Sequence, residues 1–185
     1  MYLLRHGQSE FNVHFAQTRI DPGIEDPALT ELGRIQARSA ADTLLRRGGI
    51  ARIVASPYRR TLETAAVLAD VLGLPVEIDS LVRERCWFVC DVGTPASRLR
   101  TLWPAIDFER LGERWWPAGG ETEAQLAARC GVFASRLHRA TDWGETVYVS
   151  HWGFIRGLTG LAVGNGTVVE LRPGPDASVV HIPEA

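Results

Sequence analysis

The sequence predicts an α/β fold, a three-layer sandwich whose mainly parallel central sheet carries helices on both faces. Short β-branched runs alternate with stretches of helical period, the order that builds βαβ units. The 185 residues, 45% hydrophobic and 23% charged, suit one soluble globular domain with a buried core. Three of the apolar runs end abruptly in Arg, His or Ser, as strands do where a parallel sheet meets a ligand crevice.

Tyr2–Leu4 is a short apolar strand. Thr30–Arg47 has helical spacing, with Leu32, Ile35, Ala40, Leu44 and Leu45 apolar and Gly48-Gly49 as its stop. Arg52–Ala55 reads as a strand, Ser56-Pro57 opens a helix to about Leu72, and Pro75–Ile78 is a third strand. Residues 85–120 hold four Trp and three Pro with little regular pattern, and read as an aromatic lid-like insertion in a single domain spanning 1–185. Glu121 to about Thr141 is helical, with Leu126, Cys130, Phe133 and Leu137 on one stripe. A buried strand (Thr146–Val149), a helix (Trp152–Val163, closed by Gly164-Asn165-Gly166) and two strands (Thr167–Leu171 and Ser178–Ile182) follow. The last two are joined by a turn at Pro173-Gly174-Pro175-Asp176.

A formal net charge of −2 is not the footprint of a nucleic-acid binder. All 20 basic residues are Arg, which excludes a Walker-type phosphate loop, a Schiff-base lysine and a lysine general base. Anions must be met by guanidinium groups, imidazoles or backbone N–H groups. Cys86, Cys90 and Cys130 are odd in number and lack zinc-like spacing, so a reducing compartment is expected. Neither a signal-peptide core nor a bilayer-spanning run stands out, and a cytoplasmic location is expected.

The three polar strand ends are Arg5-His6-Gly7, Ser56-Pro57-Tyr58-Arg59-Arg60 and Ser150-His151. On neighbouring strands they would bring two His and two or three Arg to one spot. Such a pocket has no metal-ligand spacing and suits a phosphate dianion, so neither metal nor other cofactor is expected.

Five segments in order carry a family resemblance. Leu4-Arg5-His6-Gly7-Gln8-Ser9-Glu10-Phe11-Asn12 resembles the R-H-G-x-S-x-x-N signature of the histidine phosphatase superfamily, phosphoglycerate-mutase-like branch. Asp26-Pro27-Ala28-Leu29-Thr30-Glu31-Leu32-Gly33 is similar to its D-x-x-L-T-x-x-G segment. Ser56-Pro57-Tyr58-Arg59-Arg60-Thr61 matches S-P-x-x-R-T. Gly119-Gly120-Glu121-Thr122 resembles G-G-E-S, and Val149-Ser150-His151-Trp152-Gly153 the segment of the second histidine. The resemblance implies a phosphoglycerate-mutase-like fold and a metal-independent phosphomonoesterase acting on a small phosphorylated molecule. His6 would be the nucleophile, and Arg5, Arg60, His151 and Asn12 would hold the phosphoryl oxygens. Glu84 falls where the family places its proton donor. The two imidazoles would meet face to face around the oxyanion, with His151 as an imidazolium.

Other readings compete at particular residues. Arg59 rivals Arg60, and a reading of Glu84 as the solvated partner of Arg83 or Arg85 competes with its role as the acid, since Phe88, Asp91 and Val92 depart from the family pattern after the acid. Cys86-x-x-x-Cys90-Asp91 with Trp103-Pro104 and Trp115-Trp116 resembles a fungal and plant phosphomutase-like subgroup, or is a packed loop core. Trp152 narrows the pocket mouth or merely begins a helix. Cys130 to Arg136 fits the C-x₅-R loop of cysteine phosphatases, but its place on an amphipathic stripe marks Cys130 as core. His14, His138 and His181 read as surface or structural. Specificity is expected in 85–120, where Arg98, Arg100, Arg110 and Arg114 are candidates for a second anionic group. A phosphomutase and a non-catalytic phospho-ligand module remain the alternatives to hydrolysis.

Overall fold

The computed structural model describes residues 1–137, 143–172 and 176–183. The elements are β1 (Tyr2–Arg5), α1 (Glu10–Thr18), α2 (Glu31–Arg47), β2 (Arg52–Ala55), α3 (Arg59–Leu72), β3 (Val76–Ile78), α4 (Ala96–Leu102), α5 (Glu123–Leu137), β4 (Thr146–Ser150), α6 (Trp152–Thr159), β5 (Val168–Leu171) and β6 (Ala177–His181). Six strands form one sheet in the order β3-β2-β4-β1-β5-β6. The first four of that order pair in parallel, while β5 runs antiparallel to both β1 and β6. The sheet is thus mixed, with the expected parallel part running from the β3 edge to β1 and the two antiparallel strands at the other edge.

Alternation along the strands sorts the core into two layers. Leu4, Ile53, Ala55, Val147 and Val149 face a cluster completed by α2, α3 and α4 through Ala40, Leu44, Leu62, Leu68 and Leu99. Leu3, Val54 and Tyr148 face the other, completed by α5 and α6 through Leu126, Cys130, Phe133, Phe154 and Ile155. Cys130 is core, as its stripe predicts.

Four local expectations are corrected. The helix α1 has no counterpart in the sequence reading, because it buries only Phe11 and so shows little periodicity; its signal is the capping box, in which Ser9 Oγ accepts from Asn12 N and Asn12 Oδ1 from Ser9 N. On α2, Ile35 and Leu45 are exposed; the buried face is Leu44, as expected, with Gly33, Ala37, Ala40 and Ala41, small residues that let α2 lie close to α3. The helix α6 stops at Thr159 rather than Val163, because Gly160 takes a left-handed conformation (φ 76°) and closes it. Residues 85–120 contain the helix α4, whose Ala96 and Leu99 are buried together with Phe108 and Leu111. His138 and the turn at Pro173-Gly174-Pro175 lie outside the described residues.

Two glycines allow a close approach next to the first strand end. A Cβ on Gly7 would lie 2.1 Å from the Gly33 carbonyl oxygen, and one on Gly33 would lie 2.1 Å from that of Gln8. The loop after β1 is therefore pressed backbone-to-backbone against the start of α2.

Candidate active site

The adjacent β2, β4 and β1 all point their carboxyl ends the same way, so Ser56, His151 and His6 emerge side by side. The ladder continues past the strands: His6 N–H donates to Ser150 O (3.0 Å) and Ser56 N–H to Val149 O (3.1 Å). The His6 and His151 rings lie 5.2 Å apart at 63°, edge to face rather than face to face. Tyr58 packs edge-on against His151 from a further side, at 5.2 Å.

His6 Nδ1 lies 2.7 Å from Gly7 O. A carbonyl only accepts, so Nδ1 carries the proton and Nε2 keeps its lone pair. Burial, then the charges of Arg60 and Arg5, hold the His6 pKa well below the usual imidazole range. His151 is fully buried, with Nε2 2.9 Å from Ser56 Oγ. Burial and the Arg60 charge depress its pKa strongly as well. Before ligand binds, His151 is therefore neutral, not the imidazolium expected from the sequence. The positive charge of the site comes from guanidinium groups.

Arg5 donates to Val163 O (2.6 Å), and burial pulls its pKa down to about 10, which leaves it cationic at neutral pH. Arg60 is buried, stacks over Tyr58 (4.4 Å), and donates to Cys90 O (2.9 Å) and Asp91 Oδ1 (3.1 Å). Burial alone would lower its pKa, but the neighbouring Cys90, Asp91, Tyr58 and Asp26 outweigh that and raise it. Arg59 instead pairs with Glu63 and is absent from the cavity wall, which Arg60 lines. Asn12 Oδ1 accepts from Ser9 and from Asn165 Nδ2 (3.0 Å), so only its amide N–H groups can serve a ligand.

Glu84 is not the solvated partner of either flanking arginine. Its Oε1 accepts from the backbone N–H groups of Arg85 (2.8 Å) and Gly153 (2.9 Å), while Arg83 turns to Glu121 and Arg85 to Glu123. The Gly153 N–H is one of the donors at the start of α6 that have no partner within the helix, and Glu84 supplies one. Burial and, second, the Asp91 carboxylate push the Glu84 pKa up to about 7. Arg129 supports the segment from behind, donating to Leu81 O, Arg83 O and Glu84 O while held by Glu121.

A cavity of about 460 Å³ opens over these groups. Arg5, His6, Ser9, Asn12, Arg60, Glu84, Cys90, Asp91 and Gly153 line its polar part, and Phe11, Phe15, Trp87, Phe88 and Trp152 its aromatic part. Trp152 starts α6, and its partly exposed side chain also lines the cavity. Of residues 85–120, Arg85, Trp87, Phe88, Cys90 and Asp91 reach the cavity; Arg98, Arg100, Arg110 and Arg114 do not, and Arg19 lines it instead. His14 is exposed on α1 and His181 Nδ1 lies 3.2 Å from Thr43 Oγ1, both away from the site.

Several residues of this arrangement escaped the sequence reading. Asp91 reads from the sequence as a departure after the acid and as part of Cys86-x-x-x-Cys90-Asp91, with no role in the pocket, yet its carboxylate accepts from Arg60, Trp87 N and Phe88 N and so folds the loop beside the pocket. Asn165, read as part of a helix stop, donates to His6 O (3.1 Å) from 159 residues away. No local pattern could have marked it. Among the described residues, no group of three or more His, Cys, Asp or Glu is placed to hold a metal ion, and no helix is long and apolar enough to cross a membrane.

Comparison with known proteins gives the same picture. The family model for the histidine phosphatase superfamily (branch 1) matches residues 1–181. A glucosyl-3-phosphoglycerate phosphatase of Mycolicibacterium vanbaalenii is 37% identical over 179 residues, covering 89% of this chain and 74% of that protein. The protein of the same name from Mycobacterium tuberculosis is 34% identical, covering 86% and 73%. Among solved structures, a mycobacterial glucosyl-3-phosphoglycerate phosphatase in complex with VO3 superposes with a TM-score of 0.65 at 27% identity, covering 100% of this chain and 99% of that one. With the paired imidazoles at the strand ends and a family match along nearly its whole length, this chain belongs to branch 1 of the histidine phosphatase superfamily.

Proposed function

We propose that the protein hydrolyses a small phosphomonoester through a phosphohistidine on His6. The observation that carries this reading is the His6 tautomer: Nδ1 is tied to Gly7 O, and the ring is kept neutral by burial beside two cations. His6 Nε2 attacks phosphorus as the bond to the ester oxygen breaks, and Glu84 gives its proton to the leaving alkoxide. Water then attacks the phosphohistidine, Glu84 takes a proton from it, the N–P bond breaks, and phosphate leaves with Glu84 protonated again. Arg5 and Arg60 neutralise the phosphoryl oxygens, Asn12 donates to them, and His151 gains charge as the dianion arrives. In a loose transition state, such positioning and neutralisation supply most of the acceleration. Purified protein should release phosphate from p-nitrophenyl phosphate with chelator present, and glucosyl-3-phosphoglycerate is the first natural-type compound to assay. Isomer formation from a phosphoglycerate without phosphate release would indicate a mutase; binding of phosphate without any turnover, a ligand-binding module.

The pH dependence follows from Glu84. With its pKa near 7, it carries the proton the leaving alkoxide needs below that pH and loses it above. Turnover of alkyl phosphates is expected to fall as pH rises through about 7, while His6 stays neutral well into the acid range. A profile of kcat/KM on an alkyl phosphate that stays flat from pH 6 to 8 would remove Glu84 from its role.

Gly153 tests the same carboxyl from the other side. A Cβ there would lie 2.3 Å from Glu84 Oε1, so Gly153→Ala must displace the acid. Alkyl phosphate turnover should drop roughly 10²-fold, the cost of a misplacement on the order of 1 Å. Aryl phosphates, whose leaving groups need little protonation, should lose much less; equal losses would mean that the pocket as a whole has shifted.

The three described cysteines are free and buried, which supports a reducing compartment and a cytoplasmic setting. The partner on this reading is the small-molecule substrate alone.

A further inference from the structure

The segment 163–167, between α6 and β5, grips the end of β1. Val163 O accepts from the Arg5 guanidinium (2.6 Å) and Thr167 O from Arg5 N–H (3.1 Å). Gly166 N–H lies 3.1 Å from Arg5 O and 3.2 Å from His6 O. The Asn165 side chain completes the grip. Its Nδ2 donates to His6 O (3.1 Å) and to Asn12 Oδ1 (3.0 Å), with Gly7 O at 3.4 Å. The two backbone oxygens only accept, so the nitrogen of this amide, not its oxygen, faces them.

One amide thus spans the residue of the nucleophile and a residue that donates to phosphoryl oxygens. The bridge matters because α1, which carries Asn12, buries only Phe11 and has little packing to hold it in place. Ser9 N–H (3.0 Å) and Ser9 Oγ (2.9 Å) also donate to Asn12 Oδ1, but Ser9 caps the same helix. That helix start is otherwise tied to residues 28 and 29, through Glu10 N–H to Ala28 O (3.0 Å) and the pairing of Ser9 with Leu29. Among the described residues, Asn165 is the hydrogen-bond partner of the Asn12 side chain that lies outside α1 and its cap. In-line transfer needs nucleophile and donor in register, and a misplacement on the order of 1 Å costs about 10²-fold in rate.

We propose that Asn165 is a positioning residue for phosphoryl transfer: it fixes Asn12, amide N–H groups turned to the ligand, at a set place relative to the His6 nucleophile. This rests on the phosphatase reading above and deepens it.

The test is a double-mutant cycle in kcat/KM on p-nitrophenyl phosphate, with wild type, Asn165→Ala, Asn12→Ala and the double variant. Asn165→Ala should lose about 10- to 10²-fold. A residue that acts through Asn12 has little left to do once Asn12 is gone. The double loss should therefore fall short of the product of the two single losses by about threefold or more, whereas a merely structural effect multiplies through. A double loss closer to that product, or an Asn165→Ala loss under about threefold, would overturn the proposal. If Asn165→Ala does not fold, Asn165→Asp, of the same shape but without the N–H donors, takes its place in the cycle. Failure of both to fold would make the residue structural and overturn the proposal as well. Failure of the phosphatase reading is separately visible as no turnover by the wild type. Calorimetric titration of the same four proteins with inorganic phosphate then decides by the same comparison of affinities: a shortfall supports the positioning role, and losses that multiply overturn it.

Discussion

Replacing His6 with alanine is expected to lower kcat/KM on p-nitrophenyl phosphate by about 10⁴-fold or more, with the fold intact. The expectation follows from what the side chain does in place. Its Nδ1 is bonded to the carbonyl of the next residue, and the ring makes no other side-chain hydrogen bond among the described residues. The loop that carries it is held by backbone contacts that survive the substitution: His6 N–H to Ser150 O, Asn165 Nδ2 to His6 O, and Gly7 N–H to Thr64 Oγ1. Loss of a covalent nucleophile commonly costs a large part of an enzyme's acceleration, because the remaining groups position a substrate that nothing attacks. Steady-state kinetics alongside a melting curve give the answer. Rapid quench with a radiolabelled phosphoester adds a second: the wild type should hold label that is stable to base and lost in acid, and His6→Ala should hold none. Undiminished turnover in His6→Ala would end the phosphohistidine reading.

The second large effect belongs to Glu84→Gln, and its size should depend on the leaving group. An amide keeps an oxygen able to accept from Arg85 N–H and Gly153 N–H, so the local hydrogen bonds persist. What vanishes is the transferable proton. Alkyl phosphates should lose about 10²- to 10⁴-fold in kcat, the usual contribution of a positioned acid. Aryl phosphates should lose far less in the first step, although hydrolysis of the phosphohistidine would still lack its base. The descending limb near pH 7 should disappear with the carboxyl. Equal losses on alkyl and aryl esters, with the limb retained, would assign the proton to another group.

Both experiments turn on residues that were legible for different reasons. Arg5 ends a strand, His6 and His151 follow strands and Arg60 opens a helix, and short motifs of fixed spacing mark them. Neighbouring parallel strands then suffice to bring them together, and the order β2-β4-β1 does so. Glu84 stands in no comparable local frame; only the Gly153 N–H and the walls that bury it separate an acid of pKa near 7 from a solvated surface carboxylate. Periodicity found both α5 and α2 but misjudged part of the α2 face, where Leu44 and the alanines face the core and Ile35 and Leu45 do not. It missed α1 because a helix with one buried residue carries almost no hydrophobic period.

By itself, the chain's order of residues determined the layered α/β architecture and the kind of chemistry present, since hydrophobic period and strand-end motifs are written locally. Tertiary structure alone decided the charge states and the far contacts. Both imidazoles are neutral because burial and guanidinium charge oppose their protonation. Asn165 reaches His6 and Arg19 reaches the cavity only once the chain has folded. Desolvation and Coulomb energy depend on distances between residues far apart in the chain, and no local pattern of side chains encodes them.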